Sequence, residues 1–247
     1  MYNKIYDFCK IRNEGTIYSN DSEMPTPRVQ FLMDLMDSED IEYVLDKFIT
    51  SRVTGYNLIL KGTSNRMVVA HHDVNNHKID NANDNSCSVI NAIMIKKLMP
   101  SINVILLDGE ECGGIGSQRA SELINEGEFG DIDWILNLEL TGKGGKYFFI
   151  GDYPGKLTKH IKSIFDCPIN KTPANDSVTF RKNGIDSCVI NPIPPINEVT
   201  QVRWDKNTYL DFSLIFNCHS SKDTISTIDT KDMKEFVEEV VIKILEK

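Results

Sequence analysis

Hydrophobic and polar positions along the chain fall into two rhythms. In the first fifty or so residues the apolar positions recur at helical spacing. Thr26-Pro27 reads as a cap with proline in the first turn, and Val29, Leu32, Met33 and Met36 then line one face. A second amphipathic stretch near Ile41–Phe48 also fits a helix, so residues 1–52 are expected to form a helical part that packs on the core and carries no chemistry. From Tyr56 onward, short apolar runs replace this rhythm. Strands are predicted at Asn57–Lys61, Arg66–Ala70, Asn103–Leu107, Trp134–Leu140 and Lys146–Ile150. They alternate with helices near Asn85–Leu98, Gly116–Ile124 and Lys156–Phe165. A Pro-rich turn at Asn191–Ile196 precedes a closing helix whose apolar stripe runs from Met233 through Phe236, Val237, Val240, Val241, Ile244 and Leu245. This alternation predicts an α/β fold, with a mixed, twisted β-sheet flanked by helices on both faces. The helix after Asp84 is apolar almost all round, which predicts that it is buried with its amino terminus beside a crevice.

No repeat, low-complexity tract or linker divides the 247 residues, so a single domain over 1–247 is expected. The net charge of −9 comes without a basic stripe, which argues against nucleic-acid and anionic-membrane partners. Met1–Lys10 mixes charge with aromatics and has no apolar signal core, and no later run reaches membrane-spanning length; a cytoplasmic protein is expected. Cys9, Cys87, Cys112, Cys167, Cys188 and Cys218 lack paired spacing and read mostly as buried reduced thiols.

The chemistry concentrates at the ends of predicted strands. In Val104–Ser117, a strand ends on Asp108-Gly109 and two adjacent acids, Glu110 and Glu111, follow before a glycine cluster. Two neighbouring anions at the carboxyl end of a central strand repel unless a cation or a shared proton compensates. An exposed acidic turn is the other reading of that stretch alone. Ala70-His71-His72-Asp73 ends another strand, Asn81-Ala82-Asn83-Asp84-Asn85 precedes the buried helix, Asn137-Leu138-Glu139 ends a third strand, and His219 lies shortly before the closing helix. Taken singly, Asp84 also reads as a helix N-cap and Gly113, Gly114 and Gly116 as a tight turn. Imidazole and carboxylate without cysteine suit a catalytic rather than a structural divalent-metal site, with Asp73 placed to fix the tautomer of His71.

In the order AHHD, NAND, DGEE, NLE and HSSKDT, from Ala70 to Thr224, the chain resembles the dizinc aminopeptidases, the bacterial leucyl-type enzymes of the zinc-dependent exopeptidase superfamily, to which the glutaminyl cyclases are related. The resemblance implies a zinc-exopeptidase, phosphorylase/hydrolase-like fold and two Zn²⁺ per chain. It implies that His71 and Glu139 hold one ion, that Glu111 and His219 hold the other, and that Asp84 bridges them. Glu110 would be the general base and Asp73 the partner of His71, with His72 not a ligand. The expected activity is release of amino-terminal residues from peptides. An amidohydrolase or dipeptidase acting on a small amide, a cyclase-like enzyme, and a metal-binding relative without turnover are the alternatives. Cyclisation fits less well, since the resembling cyclases use one zinc.

Glu139 stands where the nearest aminopeptidases have aspartate, and Asn175–Phe180 stands where they often carry Ser-Asp-His, here without the histidine. About eighty residues separate Glu139 from His219, too few for the dimerisation domain that related deacylases insert, so the compact branch is expected, with oligomeric state open. Arg203, Trp204 and Tyr209 read as loop packing, and His77 and His160 as surface residues.

Overall fold

The computed structural model describes residues 1–11, 25–50, 54–75, 78–193 and 218–247, and the backbone of 201–204 and 207–210. Its centre is set by strands that are apolar on both faces. In β2 (Thr54–Leu60), Tyr56, Leu58 and Leu60 point into one core and Ile59 into another. β3 (Arg66–His71) and β4 (Asn103–Leu107) divide in the same way. Burial on both sides explains why these runs read as almost continuously hydrophobic.

With β1 (Val44–Ile49), β5 (Trp134–Leu138), β6 (Phe148–Gly151), β7 (Ile169–Asn170) and β8 (Ser187–Pro192), they form an eight-stranded mixed sheet in the order β1-β2-β4-β3-β5-β8-β6-β7. The middle four, β4, β3, β5 and β8, run parallel, while β2 and β6 pair antiparallel at the flanks. A separate antiparallel pair joins β9 (Gln201–Trp204) to β10 (Asn207–Leu210).

One face is covered by α1 (Lys4–Lys10), α2 (Pro27–Ser38), α3 (Cys87–Leu98) and α5 (Lys156–Ile164). The closing helix α7 packs on the same face and is built from Thr230–Phe236, a wider turn at Val237–Val241 and Ile242–Glu246. The other face carries α4 (Ile115–Asn125) and α6 (Asp176–Lys182), through Ala120, Ile124 and Phe180. The expected single α/β domain with helices on both faces is therefore present. No helix of the described residues is long and apolar enough to cross a membrane.

Three local expectations change. Ile41–Phe48 is not a helix: its second half lies in β1, an edge strand paired with β2 from Val44↔Ile59 to Ile49↔Thr54. His160 is half-buried rather than on the surface, with Nε2 2.8 Å from the Ile244 carbonyl and its ring against Trp134. Asp84 is not a helix N-cap, since α3 begins at Cys87 after an irregular turn over Ala82–Ser86 in which Asp84 is non-helical. α2 does start as expected, with Thr26 Oγ1 accepting the Val29 amide and proline in the first turn. Cys9, Cys87, Cys167 and Cys188 are buried and Cys112 and Cys218 partly so. His77, Asn217 and the end of the Pro-rich turn lie outside the described residues, as do the side chains of Arg203, Trp204 and Tyr209.

Candidate metal centre

The chain reverses direction across the sheet at β3. From β3 it crosses through α3 to β4 on one side, and it then returns through α4 to β5 on the other. Loops leaving the carboxyl ends of strands diverge at such a point and leave a crevice between them. His71 is the last residue of β3, and Glu139 directly follows β5. The parallel register pairs Val69 with Asn137, so His71 and Glu139 stand level two residues further on. Glu110 and Glu111 come from the turn after β4, the neighbour of β3 on its other side.

That turn needs glycine for two separate reasons. Gly114 has φ +72°, a left-handed conformation that side chains disfavour. A Cβ on Gly116 would lie 2.0 Å from the Asp108 carbonyl oxygen. The turn is secured by Asn57, which accepts the Asp108 amide and donates to the Gly116 carbonyl.

Two clusters of three ligand atoms result, His71 with Asp84 and Glu139, and Asp84 with Glu111 and His219, each within 4.8 Å. His71 Nε2 lies 3.3 Å from Asp84 Oδ1 and 3.5 Å from Glu139 Oε2. His219 Nε2 lies 3.1 Å from Asp84 Oδ2 and 3.0 Å from Glu111 Oε1. Ligand atoms around a tetrahedral zinc with bonds of about 2.0–2.1 Å are separated by about 3.4 Å, so both clusters fit such an ion. Each terminal carboxylate has its other oxygen held by an asparagine: Asn137 Nδ2 donates to Glu139 Oε1 and Asn75 Nδ2 to Glu111 Oε2. Such partners fix a ligand's orientation before a metal arrives.

Asp73 has a double position. Its Oδ1 is 3.3 Å from His71 Nδ1, and its two oxygens accept the backbone amides of Glu110 and Glu111 at 3.1 and 3.0 Å. One carboxylate thus ties the end of β3 to the paired glutamates. His72, beside them, points elsewhere, with Nε2 2.9 Å from the Tyr56 carbonyl.

The Asp84 loop is stitched on three sides by hydrogen bonds to partners far away in sequence. Asn85 donates to the Leu138 carbonyl and accepts the Leu140 amide, bracketing Glu139, while Asn83 Oδ1 accepts the Gly142 amide. Asp223 accepts the amides of Asn83 and Asp84 at 2.8 and 3.0 Å, joining the loop to the segment bearing His219. On the third side Ser86 receives the guanidinium of Arg28 at 2.9 Å. Asp176, at the start of α6, is fully buried near the clusters.

Without cations the electrostatics are strained. Burial pushes the Glu110 carboxyl up to about 9, with Glu139, Asp176 and Asp73 adding to the rise. Burial likewise raises Asp176 to about 7 and lifts Glu111. For Asp84, burial acts upward but His219 and His71 outweigh it and hold the carboxyl well below its usual range. The Asp84 carboxylate is also the main reason that His219 rises to about 9. His71 stands well above its ordinary value, because Glu139, Asp73 and Asp84 together overcome the downward effect of burial.

A ligating imidazole must be neutral, so a zinc ion taken up by these clusters would compete with these protons. Zinc affinity is therefore expected to rise as pH goes from 6 to 9. At pH 7, binding is expected to release about two protons per chain from the histidines, with more from the raised carboxyls. Titration calorimetry in buffers of different ionisation enthalpy measures that release; a pH-independent affinity would exclude His71 and His219 as ligands.

A cavity of about 360 Å³ opens over His71, Asp84, Glu110, Glu139 and His219, with further walls from Leu140, Pro173, Ala174, Val189 and Asn191. Glu110 faces it without belonging to either cluster. The Thr172–Asn175 stretch lines the cavity directly ahead of α6. A larger hollow of about 730 Å³ between α2 and β1, lined by Asp37, Asp40, Glu42 and Lys61, holds none of these groups.

The family model described as Peptidase family M28 matches residues 57–243. The LapA aminopeptidase of Legionella pneumophila superposes with a TM-score of 0.69 at 13% identity, covering 99% of this chain and 70% of that one. BSAP, a zinc aminopeptidase from Bacillus subtilis, gives 0.61 at 19% identity over 80% of this chain, which spans 51% of its length. A glutaminyl cyclase of Porphyromonas gingivalis gives 0.70 at 17% identity, covering 100% of this chain and 98% of the cyclase. No curated protein matches the sequence.

Proposed function

Because the chain belongs to peptidase family M28, we propose that it is a two-zinc aminopeptidase that hydrolyses the amino-terminal bond of peptides. The observation that carries this reading is the pair of ligand clusters sharing Asp84, with Glu110 facing the same cavity but outside both. Two divalent ions held by His71, Asp84, Glu139, Glu111 and His219 would polarise the scissile carbonyl and make the attacking water more acidic. Their positive charges would offset the carboxylates of Asp84, Glu110, Glu111 and Glu139 and favour the ionised form of Glu110, which burial, together with the neighbouring acids, otherwise disfavours.

An ionised Glu110 can then take the proton of the attacking water and return it to the departing amine. For that task it must stay free of direct ligation. Its backbone amide is anchored on Asp73, as is that of Glu111, and its side chain lies outside both clusters. Asp73 orients His71 and fixes the positions of both glutamates, so it acts through them. Asn191, which donates to the Glu139 carbonyl, sets the cavity wall next to that ligand. A peptide or small amide is the expected substrate, with zinc as cofactor.

The second reading, a glutaminyl-cyclase-like reaction at the same site, rests on the near-complete coverage of the Porphyromonas gingivalis enzyme. One experiment separates the two. Zinc-loaded protein is incubated with a mixed library of free and N-acetylated peptides and the products are read by mass spectrometry. Stepwise loss of amino-terminal residues from the free peptides alone is the expected result. Loss of ammonia from peptides that begin with glutamine selects the cyclase, release of acyl groups selects an amidohydrolase, and an unchanged library leaves a metal-binding protein without turnover.

A further inference from the structure

The amino-terminal helices were expected to cover the sheet and nothing more, yet α2 sends a charged side chain through the core to the back of the metal centre. Arg28 is wholly buried and each arm of its guanidinium is occupied. Nε donates to the carbonyl of His72 at 2.8 Å, Nη1 to the carbonyls of Phe8 and Ile11 at 3.3 and 3.2 Å, and Nη2 to Ser86 Oγ at 2.9 Å. The Phe8 ring lies against the guanidinium plane, 3.8 Å from its carbon. Ser86 in turn donates to the Asn81 carbonyl at 2.7 Å, closing the turn that carries Asp84. Among the described residues no carboxylate forms an ion pair with this cation. Its acceptors are three backbone carbonyls and one hydroxyl.

We infer that Arg28 is a positioning residue of the metal centre: from α2 it fixes the carboxyl end of β3, which carries His71 and Asp73, relative to the turn that carries Asp84. The inference rests on the metal reading above. His72 lies between His71 and Asp73, so the bond to its carbonyl clamps the peptide joining ligand and orienting acid. The bond to Ser86 clamps the loop two residues beyond Asp84. One planar group therefore spans the two segments whose side chains meet at the 3.3 Å contact of His71 with Asp84. A fork of fixed geometry transmits spacing in a way that the single ammonium of lysine does not. The links to Phe8 and Ile11 make α1 the back wall of the same clamp.

The test measures zinc affinity and metal-free thermal stability side by side in the full chain. For Arg28→Met, zinc affinity is expected to fall by about 10–100-fold, the range found for groups that orient metal ligands. Arg28→Lys should recover only part of that loss, because lysine cannot serve all four acceptors. Ser86→Ala keeps the buried cation, removes its link to the Asp84 turn together with the Ser86 bond to the Asn81 carbonyl, and covers the case in which Arg28→Met does not fold. It should cost about tenfold in affinity, the low end of the same range. Variants that melt earlier without metal but bind zinc as tightly as the parent would reduce Arg28 to a core residue and overturn the inference. A parent protein that binds no zinc would instead overturn the metal reading itself.

Discussion

Replacing Glu110 by glutamine is expected to lower the turnover of a peptide substrate by about 10²–10⁴-fold, the usual contribution of a positioned proton-transfer group, while zinc content stays at the parental level. The side chains match in size, and the backbone amide that bonds Asp73 is untouched by the change. What disappears is the ability to accept a proton. The measurement is kcat together with metal analysis on the same preparation. A Glu110→Gln protein that loses zinc would show that Glu110 and Glu111 have exchanged the roles given to them here.

The second large effect is expected from Asp84→Asn. Among the described residues, Asp84 is the one carboxylate that faces both His71 and His219, through Oδ1 at 3.3 Å and Oδ2 at 3.1 Å. An amide puts an NH₂ donor at one of those two positions and removes the charge that both clusters share. Zinc affinity should therefore fall by more than about 100-fold, beyond the range for groups that merely orient ligands, and both ions should be lost together. Glu139→Gln and Glu111→Gln each touch a single cluster and should weaken mainly one ion. Metal analysis after dialysis distinguishes these patterns, and an Asp84→Asn protein that retains two ions would remove Asp84 from its bridging role.

Most of the sheet's centre was legible in the sequence because β3, β4 and β5 are buried on both faces and read as unbroken apolar runs. The ligand candidates were legible for a related reason. Polar residues that abruptly end such runs fall at strand ends, where the crevice lies. β1 was not legible, since an edge strand buries little: of its residues only Phe48 is buried, and Ile41, Leu45 and Phe48 fit helical spacing as well as a strand. β8 was hidden because its last residues, Asn191 and Pro192, look like the beginning of a turn, although Pro192 pairs with Phe148.

Arg28 could not be found by local pattern, since its contact at the His72 carbonyl lies 44 residues away and nothing near it in sequence marks it. Asp223 was visible as part of HSSKDT, but the role of its carboxylate was not, since it accepts the Asp84 amide 139 residues away. Asp176 was not legible either. Its segment lacks the histidine that the resembling enzymes often carry, and the acid that remains has no neighbouring motif to mark it as buried beside the site.

The bonds from Asp223 to the Asp84 loop also bear on what holds the His219 side of the centre in place. Closing a loop of 139 residues costs about 4 kcal/mol in chain entropy, apart from a constant. Two bonds to a carboxylate return about 1.5–3 kcal/mol each, which is near break-even. Docking of the His219 segment therefore depends on α7, whose Met233, Phe236, Val240, Val241 and Ile244 are wholly buried against the sheet. With α7 undocked, the His71, Asp84 and Glu139 cluster is expected to persist while the hold on the second imidazole is lost. The second half of the candidate centre thus rests on the packing of α7, an element that supplies none of the candidate ligands among the described residues.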